Sequence, residues 1–158
     1  MFKKILVCLD GSKLAEQIMP YATAEALCFQ SNLVLFHVVP EPVAISPGIH
    51  GVPATPVQTD TILLEAKKAL NESKSYLEEV AMPLREKGIQ METVTMLGRA
   101  GETIVSYADE NNVNLITIAT HGRSGLGRAV FGSVADYVLR ESGLPILVIR
   151  PQEREDKD

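Results

Sequence analysis

Apolar runs and helical stripes alternate along the chain. Ile5-Leu6-Val7-Cys8-Leu9 is continuously apolar and is bounded by Asp10-Gly11-Ser12, the pattern of a strand covered on both faces of a parallel sheet. Ser12 is placed to cap a helix whose stripe is Leu14, Ile18, Ala22 and Ala26, with Tyr21 and Leu27 beside it. Pro20 falls inside that pattern and predicts a kink. A second buried strand, Asn32 to Val39, is stopped by Pro40. Residues 40–58 hold most of the prolines together with Gly48, His50 and Gly51, and without periodicity they read as a loop at the carboxyl end of that strand. A long helix follows, Thr59 to Lys87, with Ile62, Ala66, Ala69, Leu70, Leu77, Val80 and Leu84 on its apolar side and Pro83 near its end. Met91 to Leu97 alternates as an edge or half-covered strand does. A Gly98–Gly101 turn leads to a short helix, Glu102 to Asn111, carrying Ile104, Val105 and Ala108. Asn114 to Ile118 reads as a fourth strand. A glycine-rich stretch separates it from a helix that starts at Ser133, carries Val134, Val138 and Leu139, and ends at Glu141-Ser142-Gly143. Ile146 to Arg150 closes the series as a last strand before Pro151.

Strands with a helix in every gap predict one doubly wound α/β domain over residues 1–151, followed by a charged, disordered tail at 152–158. A chain of 158 residues suits a single domain with a full core. The formal net charge of −5 argues against a nucleic-acid partner, which would require a clustered basic surface. The apolar run at residues 2–9 is too short for a signal peptide and nothing approaches a membrane span, so a cytoplasmic protein is expected. Cys8 and Cys28 show no zinc or redox spacing and are expected to be buried free thiols.

Candidate chemistry gathers at strand ends. Ligands of open parallel sheets sit outside the carboxyl ends of the strands, and Asp10 stands at such an end. It suits equally a contact to a ribose hydroxyl or cation and an Asx-turn with Gly11 and Ser12. The stretch from Ile118 to Ser133 runs from a strand through glycines into a helix start, the usual setting for phosphate binding by backbone N–H groups. Ser133-Val134-Ala135-Asp136 fits a capped helix start. The P-loop pattern is absent, and Gly125-Leu126-Gly127-Arg128-Ala129-Val130 fails as a dinucleotide fingerprint, because it ends in Val and comes too late in the chain. His37, alone in an apolar strand without a Ser or Cys nucleophile beside it in the pattern, reads as a satisfied core residue. Arg99 reads as solvated.

The stretch resembles the signature of the universal stress protein family, G-x-x-G, nine residues, then G-[S/T]. Gly122, the segment Arg123 to Phe131, and Gly132-Ser133 match it, while Ala119 stands where the pattern has its first Gly. The resemblance extends from the first strand to Ile149 and is specific at Asp10, the His37-Val38 pair, and Gly122 through Ser133. It implies a Rossmann-like fold of the adenine nucleotide alpha-hydrolase-like kind, with a five-stranded parallel sheet in the order 3-2-1-4-5. It also implies an ATP site built from Leu9, Asp10, Val38, Ala119, Gly122, Arg123, Gly132, Ser133 and Val134. In that site Asp10 serves the ribose side, the Val38 backbone the adenine, and Gly122, Gly132, Ser133 and Val134 the phosphates, with Arg123 and Arg128 neutralising charge and Mg²⁺ accompanying the phosphates. A homodimer paired through Ile146 to Ile149 is further implied, in an ATP-dependent stress-response regulator. The alternatives are a slow ATP hydrolase or phosphoryl-transfer enzyme, for which no catalytic base is assigned, and a nucleotide-free dimeric interaction module in which Ala119 closes the ribose site.

Overall fold

The computed structural model describes residues 1–42, 56–120 and 132–152, with residues 56–59 described by backbone alone. Five parallel strands form one sheet: β1 (Lys4–Leu9), β2 (Asn32–Val39), β3 (Met91–Leu97), β4 (Leu115–Ala119) and β5 (Ile146–Ile149), in the order β3-β2-β1-β4-β5. Helices α1 (Met19–Phe29), α2 (Pro56–Arg85), α3 (Ala100–Glu110) and α4 (Ser133–Glu141) fill the gaps between successive strands. Both the fold class and the strand order agree with expectation.

Two apolar layers flank the sheet, and the two-residue period of a strand assigns side chains between them. Ile5, Val7, Leu9, Leu33 and Leu35 pack with α1, α2 and Ile18 just ahead of α1, chiefly through Ile18, Ala22, Leu77 and Ala81. Leu6, Cys8, Val34, Phe36 and Val38 pack with α3 and α4 through Ile104, Ala108, Ala135 and Val138. β1 and β2 are therefore largely apolar, Ile5–Leu9 and Leu33–Phe36 without a break, because both of their faces are covered. Polar groups lock the strand starts. The Asn114 side chain accepts hydrogen bonds from the Lys3 and Lys4 N–H groups at 3.0 Å each, which explains an Asn just ahead of β4. Inside β4, Thr117 is fully buried and donates to the Leu6 carbonyl at 3.2 Å.

The helices differ from expectation in phase more than in position. The segment after Ser12 opens as a 3-10 turn, Ala15–Ile18, and α1 proper begins at Met19 with Pro20 in its first turn. Pro20 therefore kinks nothing, because a first-turn residue has no intrahelical N–H bond to lose. The tighter 3-10 winding turns Ala15 and Ile18 inward in place of Leu14. Tyr21, Leu27 and Cys28 are exposed, which corrects the expectation of a buried Cys28 thiol. α2 begins ahead of Thr59 and ends at Arg85, with Pro83 inside its last turn. Its residues closest to the sheet include the small Ser73 and Ala81, which an apolar stripe does not reveal. α3 starts at Ala100, ahead of Glu102. In α4 the N-cap is Gly132 and Ser133 is already helical, with no side-chain cap bond, so the expected capping pair is absent. Ala135 and Val138 face the core there, and Leu139 is exposed. The tail beyond Gln152 lies outside the described residues.

Candidate functional site

The strand order reverses its progression between β1 and β4, whose carboxyl ends lie side by side in the parallel sheet. The connections after β1 and β4 lead to opposite faces of the sheet, so a crevice opens between them. A cavity of about 240 Å³ occupies it. Cys8, Phe36, Val38 and Ile118 make an apolar floor, the starts of α3 and α4 supply Ala100, Ile104, Ser133 and Val134, and Asp10 and Thr120 bring polar groups to it. Seven of the residues assigned from sequence, Leu9, Asp10, Val38, Ala119, Gly132, Ser133 and Val134, line this one cavity. Gly122, Arg123 and Arg128 lie outside the described residues. Cys8, Phe36 and Ile118 were not assigned from sequence. Their signal was alternation, since Cys8 lies on the same sheet face as Phe36 and Val38, but it is invisible in a run that is apolar at every position.

Asp10 is held by its own turn. Its Oδ1 accepts hydrogen bonds from the Ser12 N–H at 3.0 Å and the Ser12 hydroxyl at 2.6 Å, while Gly11 supplies the left-handed φ of 83° that the turn demands. The Ser12 oxygen in turn accepts from the Ala15 N–H at 3.0 Å, tying the turn to the 3-10 start. The two readings of Asp10 are thus not exclusive: it forms the Asx-turn and also lines the cavity.

The α4 start is fixed by backbone. The Gly132 N–H donates to the Thr120 carbonyl at 2.8 Å, and the Thr120 N–H donates to the Ile149 carbonyl at 2.9 Å, so the end of β4 is clamped between α4 and β5. Gly132 has φ −56° and ψ 146°, angles open to any residue. Its need for glycine is spatial instead, since a Cβ there would run into the Thr120 carbonyl oxygen. Its N–H, assigned from resemblance to a phosphate, is engaged by Thr120 in this structure. The first intrahelical bond of α4 is Asp136 N–H to the Gly132 carbonyl at 2.9 Å. Ser133, Val134 and Ala135 therefore present N–H groups with no helical acceptor, and all three residues line the cavity.

His37 and Cys8 lie on opposite faces of the sheet. His37 faces the opposite side of the sheet from the cavity floor, with Nδ1 2.8 Å from the Ser73 hydroxyl and its ring edge-on to Tyr76. Cys8 is buried, and desolvation pushes its thiol far above the ordinary range, away from the reactive thiolate. An aromatic disulfide reagent should accordingly label Cys28 at once in the native protein and Cys8 only after denaturation; rapid native labelling of a Cys28→Ser variant would show that the cavity floor opens. Among the described residues no cluster of His, Cys, Asp and Glu is suited to hold a metal ion by itself, and no helix is long and apolar enough to cross a membrane. Arg99 is solvated and paired with Glu102.

Fold and cavity together define a doubly wound α/β protein with a crevice at its topological switch point. Residues 1–150 match the model of the universal stress protein family, and the chain belongs to that family. It is 34% identical over 151 residues to the universal stress protein YxiE of Bacillus subtilis, covering 95% of this chain and 100% of that one. The universal stress protein MJ0577 of Methanocaldococcus jannaschii is 26% identical over 157 residues, covering 95% and 96% of the two chains. The solved structure of MJ0577 superposes with a TM-score of 0.82 at 25% identity, over 97% of this chain and 99% of that one. A family member from Arabidopsis thaliana, solved with AMP bound, shares the fold at a TM-score of 0.61 and 14% identity, over 97% and 94% of the chains.

Proposed function

We propose that this chain binds an adenine nucleotide, ATP with Mg²⁺, in the cavity at the ends of β1, β2 and β4, and that the bound nucleotide acts as a switch in a stress response. The observation that carries the reading is the meeting, in one cavity, of an apolar floor, the Asp10 carboxylate and the N–H groups at the start of α4 that have no helical acceptor. A flat aromatic base suits a floor of Cys8, Phe36, Val38 and Ile118. Backbone N–H groups aligned with a helix dipole suit phosphate oxygens. In this arrangement Val38 meets the adenine, Asp10 and Ala119 the ribose side, and Ser133 and Val134 the phosphates. Gly122 and Arg123 enter the site by resemblance alone. The adenine nucleotide in the Arabidopsis relative supports the choice of base.

Mg²⁺ prefers phosphate oxygens and water to an all-protein cage, so it would be held mainly by the nucleotide, with Asp10 the carboxylate lining the cavity. What the ion supplies when bound is neutralisation of phosphate charge. The reading assigns no residue to orient an attacking water, so any hydrolysis should be slow. Calorimetric titration tests the reading: ATP should bind, and GTP should bind markedly more weakly. No binding by the native chain together with binding by Ala119→Gly would establish the nucleotide-free module. Binding by neither would remove the site assignment.

The assembly proposed with it is a homodimer. β5 lies at the sheet edge, and its four residues, Ile146 to Ile149, are half-buried apolar side chains. An apolar edge strand left uncovered is an aggregation site, and pairing with a second copy covers it. Light scattering at micromolar concentration should give twice the chain mass, and Val148→Lys should shift the mass toward one chain. A native monomer would remove the proposal.

A further inference from the structure

Two helix starts wall the cavity: Ala100 and Ile104 come from α3, and Ser133, Val134 and Ala135 from α4. Behind that wall the helices touch where Gly101 of α3 faces the Tyr137 ring of α4. A Cβ on Gly101 would lie 2.7 and 2.8 Å from Tyr137 Cδ1 and Cγ, and 3.1 Å from its Cβ. Close-packed interiors do not hold carbons so near one another, so the ring seats on the bare Cα of the glycine. Neither residue lines the cavity itself, yet Gly101 directly follows Ala100, and Tyr137 is one helical turn beyond Ser133.

Local structure does not account for this glycine. It lies inside α3 without a positive φ, and alanine is the better helix former there. The space taken by Tyr137 does account for it. Nor can α3 slide away freely to admit a larger residue. The Gly98 N–H donates to the Val39 carbonyl at 3.0 Å, tying the helix start to the end of β2. Farther along, Ile104 and Ala108 are buried in one apolar cluster with Phe36 and Val38 of the sheet and Ala135 and Val138 of α4. An added carbon at residue 101 is also poorly relieved by the ring, because the Tyr137 Cβ that it crowds is fixed to the α4 backbone. Relief comes from tilting the start of α3 away from α4, which carries Ala100 and Ile104 with it.

We propose that Gly101 and Tyr137 are positioning residues that set the width of the cavity: the ring, seated on the glycine, holds the start of α3 close to that of α4 and so closes the wall over the base. The proposal rests on the nucleotide reading for its ligand, though not for the spacing of the helices.

Gly101→Ala tests it, alone and with Tyr137→Ala, which makes room for the new carbon. Cys8 on the cavity floor reports the wall without any ligand, in a Cys28→Ser background that removes the exposed thiol. Gly101→Ala should speed native labelling of Cys8 by an aromatic disulfide reagent about tenfold, as overpacking strain released by a local opening would. The rate should not respond to low concentrations of urea, the mark of an opening that exposes little surface. The Kd for ATP should rise by about the same factor, and the double variant should return both quantities toward native values. Unchanged labelling in a folded Gly101→Ala protein overturns the proposal. So does a rise that grows with urea, which marks global unfolding, or one that Tyr137→Ala does not reverse. Faster labelling with native ATP affinity overturns the closing of the wall over the base. If Gly101→Ala does not fold, a folded double variant with native labelling supports the contact, and an unfolded one overturns it. A native chain that binds no ATP overturns the nucleotide reading instead, and Cys8 labelling then decides the spacing by itself.

Discussion

Gly132→Val should lower the stability of the fold and abolish nucleotide binding together. The added Cβ would fall on the Thr120 carbonyl oxygen, which is backbone, and which the Gly132 N–H also holds at 2.8 Å. Neither partner has a flexible end to give way. Relief requires the start of α4 to back away from β4, and the same motion carries Ser133 and Val134 out of the cavity wall. Overpacking of this kind costs about 1–3 kcal/mol and sometimes more, and each kcal/mol lowers the melting temperature of a domain this size by roughly 2–4 °C. Loss of two or more charge-assisted bonds to phosphate, each about 1.5–3 kcal/mol, takes ATP affinity below detection. Gly132→Ala should show the same pair of effects in weaker form, because the clash is already present with one carbon. Thermal melting with calorimetric titration of both variants is the measurement. A Gly132→Val protein with native melting temperature and no ATP binding would return Gly132 to a direct phosphate contact and displace the spacing argument.

That revision shows where the sequence stops being informative. Strands β1, β2 and β3 were legible to within a residue or so, because unbroken apolar runs and an alternating run report directly how many sheet faces are covered. Asp10 and Ser133 were legible at a strand end and a helix start, marked locally by Gly11 and the glycines before α4, whereas Val38 and Val134 came from the family resemblance; all four line the cavity. Helix phase was less legible. The 3-10 start put Ala15 inward and left Tyr21 and Leu27 in solvent, a choice of winding that no apolar stripe encodes. The reason for Gly132 was not legible at all, since it depends on the carbonyl of Thr120 across the cavity mouth, while a glycine beside a helix start suggests phosphate or unusual angles first. The cavity floor was hidden for a related reason. Where both faces of a strand are buried, the period-two signal that would separate Cys8, Phe36 and Val38 from their neighbours vanishes.

Asp10→Ala and Asp10→Asn should part the turn bonds of this carboxylate from its proposed contact with the nucleotide. Alanine removes the acceptor for both Ser12 bonds, at 3.0 and 2.6 Å, and loosens the Ser12 cap on Ala15. Such bonds contribute about 0.5–1.5 kcal/mol each, more where the acceptor is charged, so the melting temperature should fall by several degrees, about 2–4 °C per kcal/mol. Asparagine keeps an oxygen in place for Ser12 and should melt within about 2 °C of the native chain, having lost only the charge assistance. Affinity should separate differently. The proposed contact to the ribose hydroxyls, and to the cation beyond them, depends on a carboxylate, and a charge-assisted bond of about 1.5–3 kcal/mol corresponds to roughly ten- to hundredfold in Kd. Both variants should therefore lose ATP affinity by that factor, and the asparagine protein should lose it almost without loss of stability. Omitting Mg²⁺ distinguishes the carboxylate's two ligands: if Asp10 serves the cation, the native and asparagine proteins should converge in affinity, and if it serves the ribose, the gap between them should persist. Native ATP affinity in Asp10→Ala, alongside a lowered melting temperature, would leave Asp10 as a turn residue and take the nucleotide off this strand end.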